Sequence, residues 1–261
     1  MRNTRSIYSN RQRTLNRAGL VKSCHLCGMG IADTRGLQAR HHAVCLTGLE
    51  RSFAEIGANI REGLFGLFDE DPSGSSVVIF GIKPQNATWT SIHWLLPIHS
   101  LAEQLPCWSA AEANTTFRWM HCDFRLRRGD CRLSFLQSLC DQQQCEALIA
   151  AHEQANGRRF DTIVRLRADL FWEAALRMPF PLLPNVIYVP AMDTPGSHGD
   201  LAHPGKSGSI NDHLAFGERE AMGKYLTRMR HIGSHDNIVA RLNMGGSEQF
   251  LAAALRCMFS C

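Results

Sequence analysis

Two short apolar runs with an amphipathic segment between them constrain this chain most. Ala43-Val44-Cys45-Leu46-Thr47 ends at Gly48, and Val77-Val78-Ile79-Phe80-Gly81 follows a turn segment, Asp69 to Ser76, that holds Pro72 and Gly74. Between the runs Phe53, Ile56, Ile60, Leu64, Leu67 and Phe68 recur at steps of three and four, with Glu50, Glu55, Arg61 and Glu62 largely in the gaps. Apolar runs of this length bounded by glycine read as buried strands, and the period between them reads as a helix. A strand, helix and strand in that order make a β-α-β unit with a parallel pair, whose two faces both need cover.

The alternation continues. Residues 91–105 read as a weaker helix interrupted by Pro97, Thr116 to His121 as a strand, and Leu133 to Asn156 as a long amphipathic helix stopped at Gly157, where a left-handed cap suits glycine. Phe160 to Arg165, Val186 to Pro190 and His213 to Gly217 read as further strands, with helices over Glu218 to Met229 and Ser247 to Cys257. The predicted fold class is α/β: a mostly parallel central sheet with helices on both faces. Met192 to Ile210 carries Gly196, Gly199, Gly205 and Gly208 with two prolines and three serines; such a stretch builds no core and reads as a mobile loop between strands, placed as a lid would be.

Charge separates the chain into two parts. The formal net charge is +4, yet Arg2, Arg5, Arg11, Arg13, Arg17 and Lys22 all precede the first acid, Asp33, so the remaining 22 of 28 basic residues face 24 acidic ones. Residues 1–40 therefore read as a basic leader and residues 41–261 as a single, slightly acidic domain, for which no nucleic-acid partner is expected. The leader lacks the apolar stretch of a secretory signal, and no run is long enough to span a bilayer. An organelle transit peptide, a disordered basic tail, or a Golgi protein whose anchor lies upstream all fit this composition.

Ten cysteines invite a pairing scheme. Cys24 and Cys27 form half of a zinc knuckle with no second half. Cys140 and Cys145 fall on different faces of the long helix; Cys107, Cys122 and Cys131 flank one polar segment and could pair in an oxidising lumen, while small buried thiols account for most of the rest.

The densest polar constellation is Arg165-Leu166-Arg167-Ala168-Asp169 at the carboxyl end of a strand. In open α/β sheets ligands sit outside that end, and alternation puts Arg165, Arg167 and Asp169 on one face. Two guanidiniums suit a diphosphate, and the carboxylate suits a divalent cation or a sugar hydroxyl; a buried Arg–Asp pair pinning the strand end is the alternative. Gly48 with Arg51 and Ser52, at the turn into the first helix, suits an anion or is an ordinary helix start. Asp212, between the glycine-rich loop and the next strand, could take a proton from a hydroxyl or form an Asx turn. His198, Asp200 and His203 lack the spacing of a known metal site, and no Walker loop, G-x-G-x-x-G, G-x-S-x-G or H-E-x-x-H occurs.

With these segments in place the chain resembles glycosyltransferase-like proteins of the GT-A type, particularly an uncharacterised plant and algal group. The residues that carry the resemblance are Cys-Leu-Thr-Gly-Leu-Glu-Arg-Ser from Cys45, Phe-Asp-Thr-Ile-Val-Arg-Leu-Arg-Ala-Asp-Leu from Phe160, Val-Ile-Tyr-Val-Pro from Val186 and Ile-Asn-Asp-His-Leu-Ala-Phe-Gly from Ile210. The resemblance spans roughly Ala43 to Leu255 and implies a nucleotide-sugar donor, often with Mn²⁺ or Mg²⁺, and transfer of a hexose to a hydroxyl of a carbohydrate or glycoconjugate acceptor. It places Gly48 and Arg51 at the nucleotide pocket, Asp169 at the metal or sugar, and Asp212 on the acceptor side; Ser52, Arg165 and Arg167 join them as donor-site candidates on their own chemistry. The family's D-x-D is here Arg167-x-Asp169, which lets an arginine take the place of a cation at the leaving diphosphate; it also admits a catalytically silent member that binds a glycan or partner. Such domains often run on past the point where this chain ends at Cys261.

Overall fold

The computed structural model describes residues 39–48, 53–68, 75–85, 87, 89, 96–116, 131–170, 177–179, 181–189 and 213–231. In chain order they form β1 (His41–Thr47), α1 (Phe53–Gly66), β2 (Ser76–Lys83), β3 (Ile98–Glu103), α2 (Ala110–Thr116), α3 (Cys131–Asn156), β4 (Thr162–Arg167), β5 (Ile187–Tyr188), β6 (Leu214–Glu218) and α4 (Arg219–Leu226), followed by a 3-10 turn over Arg228–His231. The six strands make one sheet in the order β3-β2-β1-β4-β6-β5. β1 pairs in parallel with both β2 and β4, β2 pairs in parallel with β3, and β6 alone runs against its neighbours. The expected α/β architecture is the one observed.

Both faces of the sheet are covered, which explains why its central strands are apolar nearly throughout. Val44, Leu46, Ile79, Val164, Leu166 and Phe216 face α1 and meet its Ile60 and Leu64. Ala43, Cys45, Phe80, Ile163 and Ala215 face the other way, toward Cys145 and Ile149 of α3 and Met222 and Tyr225 of α4. The alternation along β1 thus sends successive residues to opposite cores. Gly217 is needed in β6, because a Cβ there would lie 2.6 Å from the Val186 carbonyl oxygen.

The helix expected over 91–105 is instead a strand from Ile98 onward, β3. Its register against β2 jumps from Ile98, opposite Ile79, to Ser100, opposite Phe80. That bulge inserts one residue, so Ile98 and Leu101 reach the same core although they are three apart, a spacing that imitates a helix. Thr116 closes α2 and does not begin a strand; residues 117–121 lie outside the described residues. So do most of the leader, the glycine-rich stretch 192–210 and the helix expected over 247–257.

The cysteine reading needs correction. α3 is cross-linked twice: Cys145 to Cys45 in the central strand, and Cys140 to Cys107 in the segment after β3. Cys140 and Cys145 do leave the helix in different directions, but toward sulfur partners, where small buried thiols were expected. Cys107 does not pair with Cys131; Cys122 lies outside the described residues.

Candidate functional site

Among the described strands the order reverses between β1 and β4. From β1 the chain crosses by α1 to β2, on one side of the sheet, while β4 lies on the other side of β1. At such a reversal the connections leave in opposite directions and open a gap outside the carboxyl ends of the two strands. Here those ends are Thr47 and Arg167, paired across the sheet.

Gly48 leaves β1 with φ of 105°, a conformation glycine adopts without the Cβ penalty. The turn brings it against β4: Thr47 O accepts the Ala168 N–H at 2.9 Å, and a Cβ on Gly48 would sit 3.9 Å from the Arg167 Cγ. β4 itself ends at Arg167. Asp169 therefore does not continue the strand; it lies in a turn in which Leu170 N–H donates to the Arg167 carbonyl. From there its carboxylate folds back on Arg167, accepting from Nε at 2.8 Å and Nη2 at 2.6 Å. This is the two-bond fork that guanidinium and carboxylate planes favour. The pair stays partly open to solvent, with side chains 30% and 25% exposed.

Burial pushes the Asp169 carboxyl upward, but the hydrogen bonds and charge of Arg167, with His213 adding to them, outweigh it and hold the group below the usual carboxylate value. His213 arrives through the backbone as well, its carbonyl accepting the Arg167 N–H at 2.9 Å. The residue after Asp212 is thus at the site, while Asp212, Arg51 and Ser52 themselves lie outside the described residues.

Arg165 sits differently from Arg167. It is two residues deeper in β4, fully buried, and level with Cys45 and Ala215 of the neighbouring strands. Its charge is felt by Asp141, a buried acid of α3 that sequence reasoning missed because it stands among glutamines on what looks like a solvated helix face. Asp141 accepts from Gln104 Nε2 at 2.9 and 2.7 Å and from Gln137 Nε2 at 3.0 Å. Burial dominates and raises its pKa to about 6, although both glutamines and Arg165 pull it down.

A carboxyl raised in this way favours the folded state most when protonated. Its contribution is complete below its ordinary value of 3.8 and is lost as pH rises through about 6, a swing of about 3 kcal/mol at 1.36 kcal/mol per pH unit. A ¹³C-carboxyl titration should show one aspartate with a midpoint near 6 that disappears in Asp141→Asn. A midpoint at 4 or below would contradict the buried placement.

Among the described residues no three His, Cys, Asp or Glu side chains are grouped to hold a metal ion, and no helix is long and apolar enough to cross a membrane. The chain is similar to mouse xyloside xylosyltransferase 1 in its apo form, at 11% sequence identity and a TM-score of 0.43, over 85% of this chain and 83% of that one. No family model matches the sequence, and no curated protein matches it.

Proposed function

We propose that the chain binds a nucleotide sugar at the crevice between β1 and β4 and transfers the sugar to a hydroxyl of a carbohydrate or glycoconjugate. The observation that carries this reading is the meeting of Gly48, Arg167 and Asp169 at the point where the strand order reverses. A glycine in a left-handed turn lets backbone approach a phosphate closely, and an arginine fork matches two phosphate oxygens. The resemblance of the segments around this strand end to GT-A-like proteins is what points the anion toward a nucleotide diphosphate.

On this reading Arg167 holds the diphosphate and stabilises it as it leaves, and Asp169 orients the guanidinium or accepts from a sugar hydroxyl. Arg165 lies beneath as a fixed positive charge; Asp212 is assigned the role of proton acceptor for the acceptor hydroxyl, and Arg51 and Ser52 that of nucleotide binding. A resident Mn²⁺ or Mg²⁺ is a poor fit to the described residues. Asp169 offers one carboxylate whose two oxygens are already engaged by Arg167, whereas hard divalent cations gather several oxygens. The same closed fork is what favours the second reading, a silent member that retains the sheet and binds a glycan.

The test is a thermal-shift panel of UDP-, GDP- and CMP-sugars with and without Mn²⁺. A donor at 100 times its dissociation constant adds about 2.7 kcal/mol of stability. Arg167→Ala and Asp169→Ala should abolish that shift, and Asp200→Ala should leave it intact. No shift with any donor rules out the transferase reading; a shift with a glycan alone selects the silent member.

A further inference from the structure

The opposite, amino-terminal end of the sheet carries a second polar cluster that the crevice does not use. The bulge in β3 displaces His99 from the ladder and sets its ring against the face covered by α3. There its Nε2 lies 3.1 Å from the Nδ1 of His152. The two rings stand almost at right angles, 88°, with centroids 4.7 Å apart.

Aromatic packing holds both rings in place. Phe80 meets His99 and His152 edge-on at 5.9 and 5.4 Å, and Phe160 lies along His152 at 5.4 Å. His41 stacks on Phe160 at 4.3 Å, and its Nδ1 is engaged by the Ser76 hydroxyl at 2.6 Å. The pair thus bridges β3 and α3, with Phe80 of β2 against both rings and His99 exposed to solvent. Bulges recur where a strand has to re-aim one side chain, and here the re-aimed residue is an imidazole directed at another imidazole.

We propose that His99 and His152 form a two-histidine site for a late first-row divalent cation, Cu²⁺ before Zn²⁺, with water completing the coordination. Two nitrogens bound to one cation at about 2.0–2.1 Å stand about 2.9 Å apart at a right angle and about 3.4 Å apart at the tetrahedral angle. The observed 3.1 Å falls inside that range, so a small rotation of the rings, replacing their shared hydrogen bond, brings both lone pairs onto one ion. Neutral imidazole is the ligating form. The Cu²⁺ preference follows from the ordering of divalent affinities for nitrogen donors. The site is separate from the crevice, which offers oxygen and guanidinium.

The test is Cu²⁺ titration of the full chain, followed by calorimetry and electron paramagnetic resonance. One tightest Cu²⁺ per chain, with coupling to two imidazole nitrogens, is expected. His99→Gln and His152→Gln should each weaken it at least tenfold, with far-UV circular dichroism unchanged for the exposed His99 variant, and Asp169→Asn should leave it alone. A tightest site that survives His99→Gln, or that is lost with Asp169→Asn, overturns the assignment.

Discussion

Arg219→Met is expected to destabilise the fold by about 3–5 kcal/mol, the range for removing one partner of a buried ion pair. Arg219 opens α4 and inserts its guanidinium between two acids of α3. Nε lies 2.8 and 3.0 Å from the two Glu153 oxygens, and Nη2 lies 2.8 Å from Glu153 Oε2 and 2.7 Å from Glu146 Oε1. All three side chains are 15% exposed or less. Removing the cation would leave two carboxylates facing each other in a place water barely reaches.

The two acids are not equivalent. Burial drives both upward, but Glu153 receives the fork and the Phe160 N–H and ends below its ordinary value, whereas Glu146, held by a single contact, ends above it. Urea denaturation of the three variants should therefore rank Arg219→Met as most harmful, then Glu153→Gln, then Glu146→Gln. Equal effects for the two glutamates would contradict the asymmetric fork.

Loss of the Cys45–Cys145 bond is expected to have a comparable effect. The bond closes a loop with a sequence separation of 100, for which the chain-entropy account gives about 4.7 kcal/mol. At about 2–4 °C per kcal/mol for a domain of this size, the paired variant Cys45→Ala with Cys145→Ala should melt on the order of 10–15 °C lower. The paired variant is the proper test, because a single substitution leaves a free thiol in the core. Cys107–Cys140 closes 33 residues inside that loop, so its loss should matter less, by about 1 kcal/mol on the same account. Cys107 is also exposed, while Cys45 is fully buried. Under mild dithiol, mass spectrometry of trapped thiols should find Cys107 and Cys140 labelled first. Labelling of Cys45 first would mean that the sheet opens before the surface bond does.

How much of this was readable beforehand depends on the range of the interaction. β1, α1, β2 and α3 announce themselves through runs and periods that local chain geometry imposes. β3 was misread because one bulged residue converts a two-residue period into a three-residue one. The short helix α2 announces itself only through Ser109-x-x-Glu112, a capping signature; Ser109 Oγ accepts the Glu112 N–H while Glu112 Oε2 accepts the Ser109 N–H. The strand end at Arg167 and the turn at Gly48 are legible because such features are local, but the turn that folds Asp169 back onto Arg167 is not, since strand alternation simply runs on through it. The burial of Arg165 and of Asp141 was not, since it depends on α3 lying over the sheet. Disulfide connectivity was illegible for a related reason: spacing says nothing about which helix face meets which strand.

The cross-link between β1 and α3 also changes what the chain is as a mechanical object. About 100 residues of extended polypeptide reach roughly 330–360 Å, and the bond holds the two ends of that span with their Cα atoms 6.0 Å apart. Pulled from its termini, the oxidised molecule can surrender only what lies outside Cys45 and Cys145. The strands β2 and β3 and most of α3 stay inside a covalently closed loop that tension by itself cannot draw out, and a translocating motor would meet a branched chain where the sequence is linear.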